Sequence, residues 1–403
     1  MNAAELARGF LTQPPGDDPY PVYQQLRELA PIVNVGSFTL LSRYQECYQV
    51  LRDPSFLTLD TQYRDRVMPW WRESPSLRLL TENLVFTNPP KHIEIRRVIS
   101  GVFTQRRVSQ MRTMVRDRVS DLVSRLIELG RDGGIVDFVS EFADALPINV
   151  VADLLGIPEE DRRWFRPLVG DLTRALDPFW TKGQLSAADR AAEVLTPYCR
   201  DLAERRSTGG DIIGALAELH RAKPEILSMD ALVCNVALLL VASYETTSAL
   251  LGSGMQMLFE RPILRAKLRE DPTLAADYVE EMLRYEAPTQ ILARWIPADN
   301  VVGDVAIPAW NQIVLLLGAA NRDPDRFGHP DTFDPGRPNN QPLSFGSGAH
   351  FCAGAALARL EAREAFCSLL TRLPDLRPAG SAVYRLRRSI RSYERLPVHT
   401  VPL

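Results

Sequence analysis

The sequence predicts a mainly α-helical protein with small β-sheets, built as one large domain, and the placement of its prolines predicts it. No proline occurs between Pro90 and Pro147, a second proline-free stretch runs from Pro224 to Pro262, and prolines then crowd in at 288, 297, 308, 324, 330, 335, 338 and 342. In the first stretch Val108, Met111, Val115, Val119, Leu122, Leu126 and Ile127 recur at helical spacing, so that region is helical. In the second, Ser228 caps a helix whose first turn carries Asp230 and which continues to about Phe259, a rod of roughly 45 Å at about 1.5 Å per residue. Gly252 and Gly254 lie inside that pattern and read as a packing feature. The proline-rich part excludes continuous helix and leaves short strands such as Gln312–Leu317, followed by an irregular meander. Helical periodicity resumes over Ala355–Leu373.

With 403 residues and 45% hydrophobic content the chain has ample apolar material for a large core, which excludes a disordered protein. No internal repeat, low-complexity tract or linker divides it. A formal charge of −3, from 47 Lys+Arg against 50 Asp+Glu, argues against nucleic acid as partner. The five cysteines, at 47, 199, 234, 352 and 367, form no CxxC and no regular framework, as expected in a reducing, cytoplasmic compartment. The N-terminus lacks the basic start and apolar core of a secretion signal. The most apolar run, Ala231–Ala242, falls short of the roughly 18 residues of a membrane span and reads as a helix buried in protein. Neither GxGxxG after a strand nor GxxxxGK[ST] occurs, which removes the dinucleotide and phosphate-loop readings.

The strongest local signal is Phe345-Gly-Ser-Gly-Ala-His-Phe-Cys-Ala-Gly354, a cysteine in a glycine-rich loop just before an amphipathic helix. A helix N-terminus lowers a thiol's pKa, so Cys352 is placed to be a thiolate. An arbitrary lone cysteine is more often a small buried hydrophobe. Here glycines at 346, 348 and 354 let the backbone approach a flat ligand closely and turn amides toward the sulfur, as a thiolate metal ligand requires. Zinc would need three or four Cys/His ligands, and only His350 lies nearby.

This loop resembles the cytochrome P-450 family, whose signature FxxGxxxCxG is met by Phe345, Gly348, Cys352 and Gly354. The family's ExxR pair is matched by Glu281 and Arg284, which share a helix face. Alone, such a pair is most often a solvated salt bridge. Here it is followed in family order by Pro288, Arg294, Ala320-Asn-Arg-Asp-Pro324, Phe327, Phe333-Asp334 and Arg337, and the likeness runs from about Asp18 to the C-terminus. The resemblance implies a single cytochrome P-450 domain over residues 1–403, with 1–17 a poorly ordered N-terminal segment and haem b held between the long central helix and the Cys352 loop. It makes Cys352 the iron ligand and Phe345, Gly348 and Gly354 parts of the haem site. His92, Arg96, Arg294 and His350 become partners of the haem propionates, and Glu281 with Arg284 a structural pair. Pro342 stands where the family often has a further histidine, and His220, His329 and His399 are left as surface residues.

The family's acid–alcohol pair is matched by Glu245 and Thr246, which would deliver protons to dioxygen and steady it. An acid inside a buried apolar helix is costly unless hydrogen-bonded or functional, and a mid-helix threonine can bond back to a carbonyl and open the helix locally. Ser243 replaces the family's usual glycine, so the oxygen groove is expected to be tighter or to carry an extra hydroxyl. Substrate contacts are expected from Met68, Trp70, Trp71, Leu239, Ala242, Ser243, Thr289, Ile291 and Leu292, and from the stretch around residues 168–180. Lys91–Arg118 carries eight Lys/Arg against two acids, a net +6 that leaves −9 for the remainder. Such a run is usually a solvated helix face. In the family it lies on the haem's proximal side, with Arg359 and Arg363 nearby, and would steer an acidic electron donor.

The resemblance thus implies a cytoplasmic, monomeric haem-thiolate monooxygenase that inserts one oxygen atom of O2 into a small organic substrate by hydroxylation or epoxidation. Electrons would come from NAD(P)H through a ferredoxin reductase and a ferredoxin, with no membrane or nucleic acid involved. A polyketide, peptide or terpenoid, free or bound to a carrier protein, fits the soluble bacterial members. The alternatives are oxidative coupling or desaturation on the same fold, and a non-catalytic module that recruits a carrier protein.

Overall fold

The computed structural model describes every residue except 1, 14, 15, 17, 179–181, 207–210 and 401–403. Its organising element is the helix Met229–Glu260, 32 residues long. The Ser228 hydroxyl accepts the Ala231 N–H at 3.1 Å and Asp230 lies in the first turn, as the sequence requires of a capped start. The helix is long and apolar enough to cross a membrane, yet 83% of its most apolar window is buried inside the protein. It runs through two separate apolar cores. Leu232–Val241 and Tyr244 pack with Trp71, Leu77, Phe165 and Leu195, whereas Leu250–Leu258 belong with Phe138, Phe142, Met282 and Phe366. The seam between these cores falls at Ala242–Thr246, where Ala242 is exposed and Ser243 and Thr246 are half-buried.

Gly254 lets the helix Ala355–Arg372 and the helix Ala275–Tyr285 close onto the central helix. A Cβ there would come within 2.4 Å of the Phe366 ring and 2.8 Å of the Met282 sulfur. At Gly252 the nearest atom, on Tyr393, would be 3.5 Å away, an ordinary contact. Gly254→Ala is therefore expected to destabilise the protein by about 1–3 kcal/mol through overpacking. Gly252→Ala gains helix propensity, up to about 1 kcal/mol. Thermal melts of the two variants should move in opposite directions.

The proline-free region is helical but not continuous: Lys91–Val102, Gln105–Gln110 and Arg112–Leu129 are separate helices, and Ala145–Leu155 begins at its end and runs on through Pro147. Thr104 restarts the chain by capping Arg107 N–H, and a turn through Gly130 and Gly133, the latter at φ 75°, ends the longest piece. In the proline-rich part, Gln312–Leu316 is the expected strand, one residue shorter than the sequence pattern because Leu317–Ala320 turns into a short helix. It lies between Phe38–Leu41, parallel, and Ile291–Trp295, antiparallel, and Ile32–Val35 completes the sheet.

Two expectations are corrected. Within the segment 1–17, Ala3–Thr12 is a helix closed by a reciprocal capping box between Asn2 and Glu5, and its Leu6 and Ala7 are buried with Tyr23 and Leu26. That apolar anchor holds the helix Ala3–Thr12 in place. His329 is exposed, but His220 and His399 are half-buried; His220 Nδ1 lies 2.9 Å from the Leu227 carbonyl and His399 sits in a strand.

Candidate active site

The Cys352 loop is a closed hairpin of backbone bonds. Gly346 N–H donates to Leu343 O at 2.7 Å, Phe351 N–H to Gly348 O at 3.1 Å, and Cys352 N–H to Phe345 O at 2.9 Å. Gly346 and Gly348 both sit at φ 68°, and a Cβ on Gly348 would lie 2.4 Å from the Leu51 carbonyl oxygen, so glycine is required there. Gly354 has no such crowding, and its contribution is its amide, which with that of Ala355 faces the sulfur. The Phe345 ring carries the Arg359 guanidinium 4.5 Å above it. Ala353 packs on the core that holds Leu239–Val241, and Phe345 packs on the other core, so the loop straddles the same seam as the Ala242–Thr246 window.

Cys352 is exposed, whereas Cys47, Cys199 and Cys234 are buried and Cys367 is half-buried. The buried-hydrophobe reading thus suits three other cysteines and fails for Cys352. Desolvation pushes the thiol up and outweighs the Gly354 amide, Arg96, Arg359 and the Ala355 amide, which pull it down. A bound cation would reverse that balance, since a coordinating thiol is deprotonated outright.

The loop is anchored by the Glu281–Arg284 pair, which is fully buried rather than a solvated surface bridge. Arg284 makes two bonds to Glu281, Nε–Oε2 at 2.8 Å and Nη2–Oε1 at 2.7 Å. Its remaining N–H groups reach the carbonyls of Asn321, Pro330 and Thr332. Glu281 also accepts Asp334 N–H at 2.8 Å, Asn340 Nδ2 at 3.0 Å and Arg337 Nε at 3.3 Å. Asn321 then accepts Leu343 N–H at 2.7 Å and donates to Ser344 at 2.8 Å, so the pair holds the meander and the start of the cysteine loop in register.

His92, Arg96, Arg294 and His350 converge near the sulfur. The two imidazoles lie 4.0 Å apart, and His92 Nε2 is buried with no hydrogen-bond partner. Desolvation, together with Arg96 and Arg294, depresses His92 to about 4; desolvation and the same arginines with His92 depress His350 to about 2. Burial takes Arg294 down to about 10. Arg294 donates only to the Ala293 carbonyl, and among the described residues no carboxylate pairs with any of the four. Four basic groups gathered without an anion, beside an exposed thiol in a glycine cradle, match the donor set of a thiolate-ligated group carrying two carboxylates.

The window in the central helix is unbroken helix, not the local opening expected from sequence. Thr246 Oγ1 donates to the Ala242 carbonyl at 3.0 Å and Ser243 Oγ to the Leu239 carbonyl at 2.7 Å, each satisfying its hydroxyl within the helix. Glu245 is buried, and its carboxylate is turned to the C-terminal loop. It accepts from Arg387 and from Ser392 Oγ at 3.3 Å, and Arg385 lies 3.9 Å away. Arg385 is itself shared with Asp144, which also accepts the Tyr244 hydroxyl at 2.9 Å.

Of the expected substrate contacts, Ala242 and Ser243 open onto the window, and Thr289 is half-buried beside Ile390. Leu292 reaches the cysteine loop, 3.8 Å from a Cβ built on Gly346, while Leu239 is buried beneath the window. Met68 and Trp70 are half-buried against the first core. Two are corrected. Trp71 is 2% exposed and bonded through Nε1 to Asp65, and Ile291 points to the opposite side of its strand from Leu292, into the core around Tyr23 and Leu26. In the stretch 168–180, Leu168–Leu172 ends a helix and residues 179 and 180 lie outside the described residues.

Several residues escaped the sequence reading. Asn235 Oδ1 accepts Leu84 N–H at 3.0 Å, tying the turn that bears the 41% exposed Val85 to the helix face of Leu239, Ala242 and Thr246. Arg385 and Arg387 were signalled only by the acid-free run Arg385-Leu-Arg-Arg-Ser-Ile-Arg391. Glu361 is a buried acid on the helix after Cys352, with Oε2 unpartnered and its carboxyl pushed up to about 8 by burial. Its folded pKa is raised, so wild-type stability falls as pH rises from 4.5 to about 8, where only the unfolded chain releases the proton. Glu361→Gln abolishes that slope, and its melting-temperature advantage over wild type should grow between pH 5 and pH 9.

An exposed thiol in a glycine-built loop, an anion cradle beside it and a long buried helix with a polar window at the same core seam define the class of haem-thiolate oxidoreductases. The chain belongs to the cytochrome P450 monooxygenase family: the family pattern Cytochrome P450 matches residues 55–374. It is 35% identical to the cytochrome P450 monooxygenase PikC of Streptomyces venezuelae, over 98% of this chain and 94% of that protein. It is 34% identical to 6-deoxyerythronolide B hydroxylase of Saccharopolyspora erythraea, over 94% and 96%. Among solved structures, P450BioI in complex with hexadec-9Z-enoic acid ligated acyl carrier protein superposes with a TM-score of 0.87 at 32% identity, covering 95% of this chain and 99% of that one. Haem, O2 and external redox partners follow from family membership.

Proposed function

We propose that the protein is a haem-thiolate monooxygenase that inserts one oxygen atom of O2 into a small organic substrate, hydroxylating or epoxidising a bacterial specialised metabolite. The observation that carries this reading is the exposed Cys352 beside His92, Arg96, Arg294 and His350, which pair with no carboxylate among the described residues, in a loop that straddles the two cores of the central helix. When bound, the haem supplies the oxidising chemistry, with thiolate donation favouring O–O cleavage. Cys352 would hold its iron, and the four basic side chains would take its propionates by charge-assisted hydrogen bonds. Glu245 carries protons to the window, and Thr246, releasing the Ala242 carbonyl, presents a hydroxyl there. Ala242, Ser243, Thr289, Leu292 and Val85 orient the substrate.

The relatives' names support the substrate class: 6-deoxyerythronolide B hydroxylase acts on the compound it is named for, and P450BioI is solved with a carrier-bound acyl chain. A polyketide-like or acyl substrate, free or on a carrier protein, is the proposal here. A spectral-shift screen across such compounds, followed by turnover under 18O2, tests it. One labelled oxygen in the product is expected, and products formed without label favour coupling or desaturation. Purified protein without haem would favour the recruitment module.

The electron donor is proposed to be a ferredoxin, reduced by NAD(P)H through its reductase, with the enzyme acting as a cytoplasmic monomer. The basic segment is less charged than its sequence count. Arg112 and Arg116 pair with Glu364, Arg118 with Asp153, and Arg97 with Glu94, leaving Lys91, Arg106 and Arg107 exposed without an acid among the described residues. Arg97→Glu with Arg107→Glu should slow ferredoxin-supported turnover about three- to tenfold at low salt and much less at high salt. Equal slowing at both would overturn electrostatic steering.

A further inference from the structure

Glu245 is 2% exposed, so a proton from solvent must reach it along a defined path. One cleft lies within reach of it. A cleft of about 480 Å³ opens beneath the N-terminal helix Ala3–Thr12, walled by Glu5, Gly9, Phe10 and Val22. Arg387 also lines it, and Arg387 is the residue whose guanidinium holds the Glu245 carboxylate. One side chain, itself only 11% exposed, therefore spans from the cleft wall to the buried acid.

We propose that this cleft is the water route that supplies protons to Glu245, with Arg387 as the positioning residue at its inner end. Insertion of one oxygen atom of O2, with release of the other as water, consumes two protons and the two electrons brought by the external donor. Each proton passes from cleft water to a Glu245 carboxylate oxygen and onward to the window, and bulk solvent restores the cleft. Arg387 does not relay, since a guanidinium keeps its proton in proteins. Its part is to aim the carboxylate and admit water. Nη1 is held firmly by Glu245 and by the Thr173 hydroxyl at 2.8 Å, whereas Nη2 reaches the Gly170 carbonyl only at 3.5 Å, a bond weak enough to exchange for a water. Arg174 and Asp177 act on Arg387 through their charges, while Arg385, Ser392 and, through Arg385, Asp144 surround the Glu245 carboxylate. They hold the acid in place when Nη2 lets go. Gly9 leaves the outer half of the route open, because a Cβ there meets only the Gln13 side chain at 3.7 Å and longer.

The inference rests on Glu245 as the proton-carrying acid, and two readouts separate the two claims. Gly9→Trp fills the cleft from its outer wall, Gly9→Ala is the control, and Val22→Trp is the second plug if the first fails to fold. In the carbon-monoxide-saturated ferrous holoenzyme, nitrogen-15 NMR follows exchange of the Arg387 Nε–H with water, the signal being identified by its loss in Arg387→Lys. Gly9→Trp should slow that exchange about tenfold or more and raise the peroxide released per NAD(P)H oxidised, with spectral-shift affinity for substrate unchanged. Unchanged exchange in Gly9→Trp and Val22→Trp, or equal slowing in Gly9→Ala, overturns the route. A Glu245→Gln enzyme whose peroxide fraction equals that of wild type overturns the role of the acid instead.

Discussion

Cys352→Ser is expected to abolish the red-shifted carbon monoxide band of the reduced protein and all monooxygenase turnover, the largest functional effect of any single change in this chain. The loop geometry explains why no neighbour substitutes. The neighbouring residues able to ligate a metal, His350 and His92, lie ring to ring at 4.0 Å among Arg96 and Arg294, whose charges disfavour a cation there. Serine keeps the backbone N–H of position 352 that donates to Phe345 O, so the loop should hold its fold. The variant should therefore melt near wild type while its spectrum changes, and a variant that retained the thiolate band would show that another residue ligates the iron.

Glu281→Gln carries the largest expected effect on stability. It leaves Arg284, fully buried, and Arg337, 7% exposed, without their shared carboxylate. Breaking a buried ion pair by removing one partner costs about 3–5 kcal/mol. That is a large part of the roughly 5–15 kcal/mol by which a folded domain exceeds its unfolded chain. The loss also propagates, because Arg284 holds the Asn321 carbonyl and Asn321 holds Leu343 and Ser344 at the foot of the cysteine loop. Expression should yield little haem-loaded protein, and what is recovered should melt far lower. Glu280→Gln, at the next position, breaks only the partly exposed pair with Arg359 and should cost about 0–1 kcal/mol. Similar behaviour of the two variants would contradict the assignment of the buried network.

The contrast between Glu280 and Glu281 shows where legibility in the sequence ended. Both are acids on one helix, four and three residues before Arg284, and spacing alone reads either as a surface bridge. Burial separates them, and burial depends on the meander of residues 321–340 folding back over one face of the helix. The central helix was legible almost to the residue because its signals are local: a serine cap, an early acid and an absence of proline over more than 30 positions. The broken helices between 91 and 155 were less so, since a threonine cap at 104 and glycines at 130 and 133 interrupt a pattern that hydrophobic spacing carries across. Trp71 and Ile291 were misplaced for a related reason. An aromatic or aliphatic residue near the site looks the same in sequence whether it faces a substrate or the core.

By itself the sequence singled out the candidate site residues and the elements that present them, because a thiol in a glycine loop, a capped apolar helix and an acid–alcohol pair are encoded within short windows. Only the tertiary structure decided what those groups touch. It left Cys352 exposed and Cys199 buried, turned Glu245 away to Arg387 from 142 residues further along the chain, and gathered His92, Arg96, Arg294 and His350 into one anionless cluster. Contacts at such separations depend on how two apolar cores meet along a single helix, and no local window of the chain contains that information.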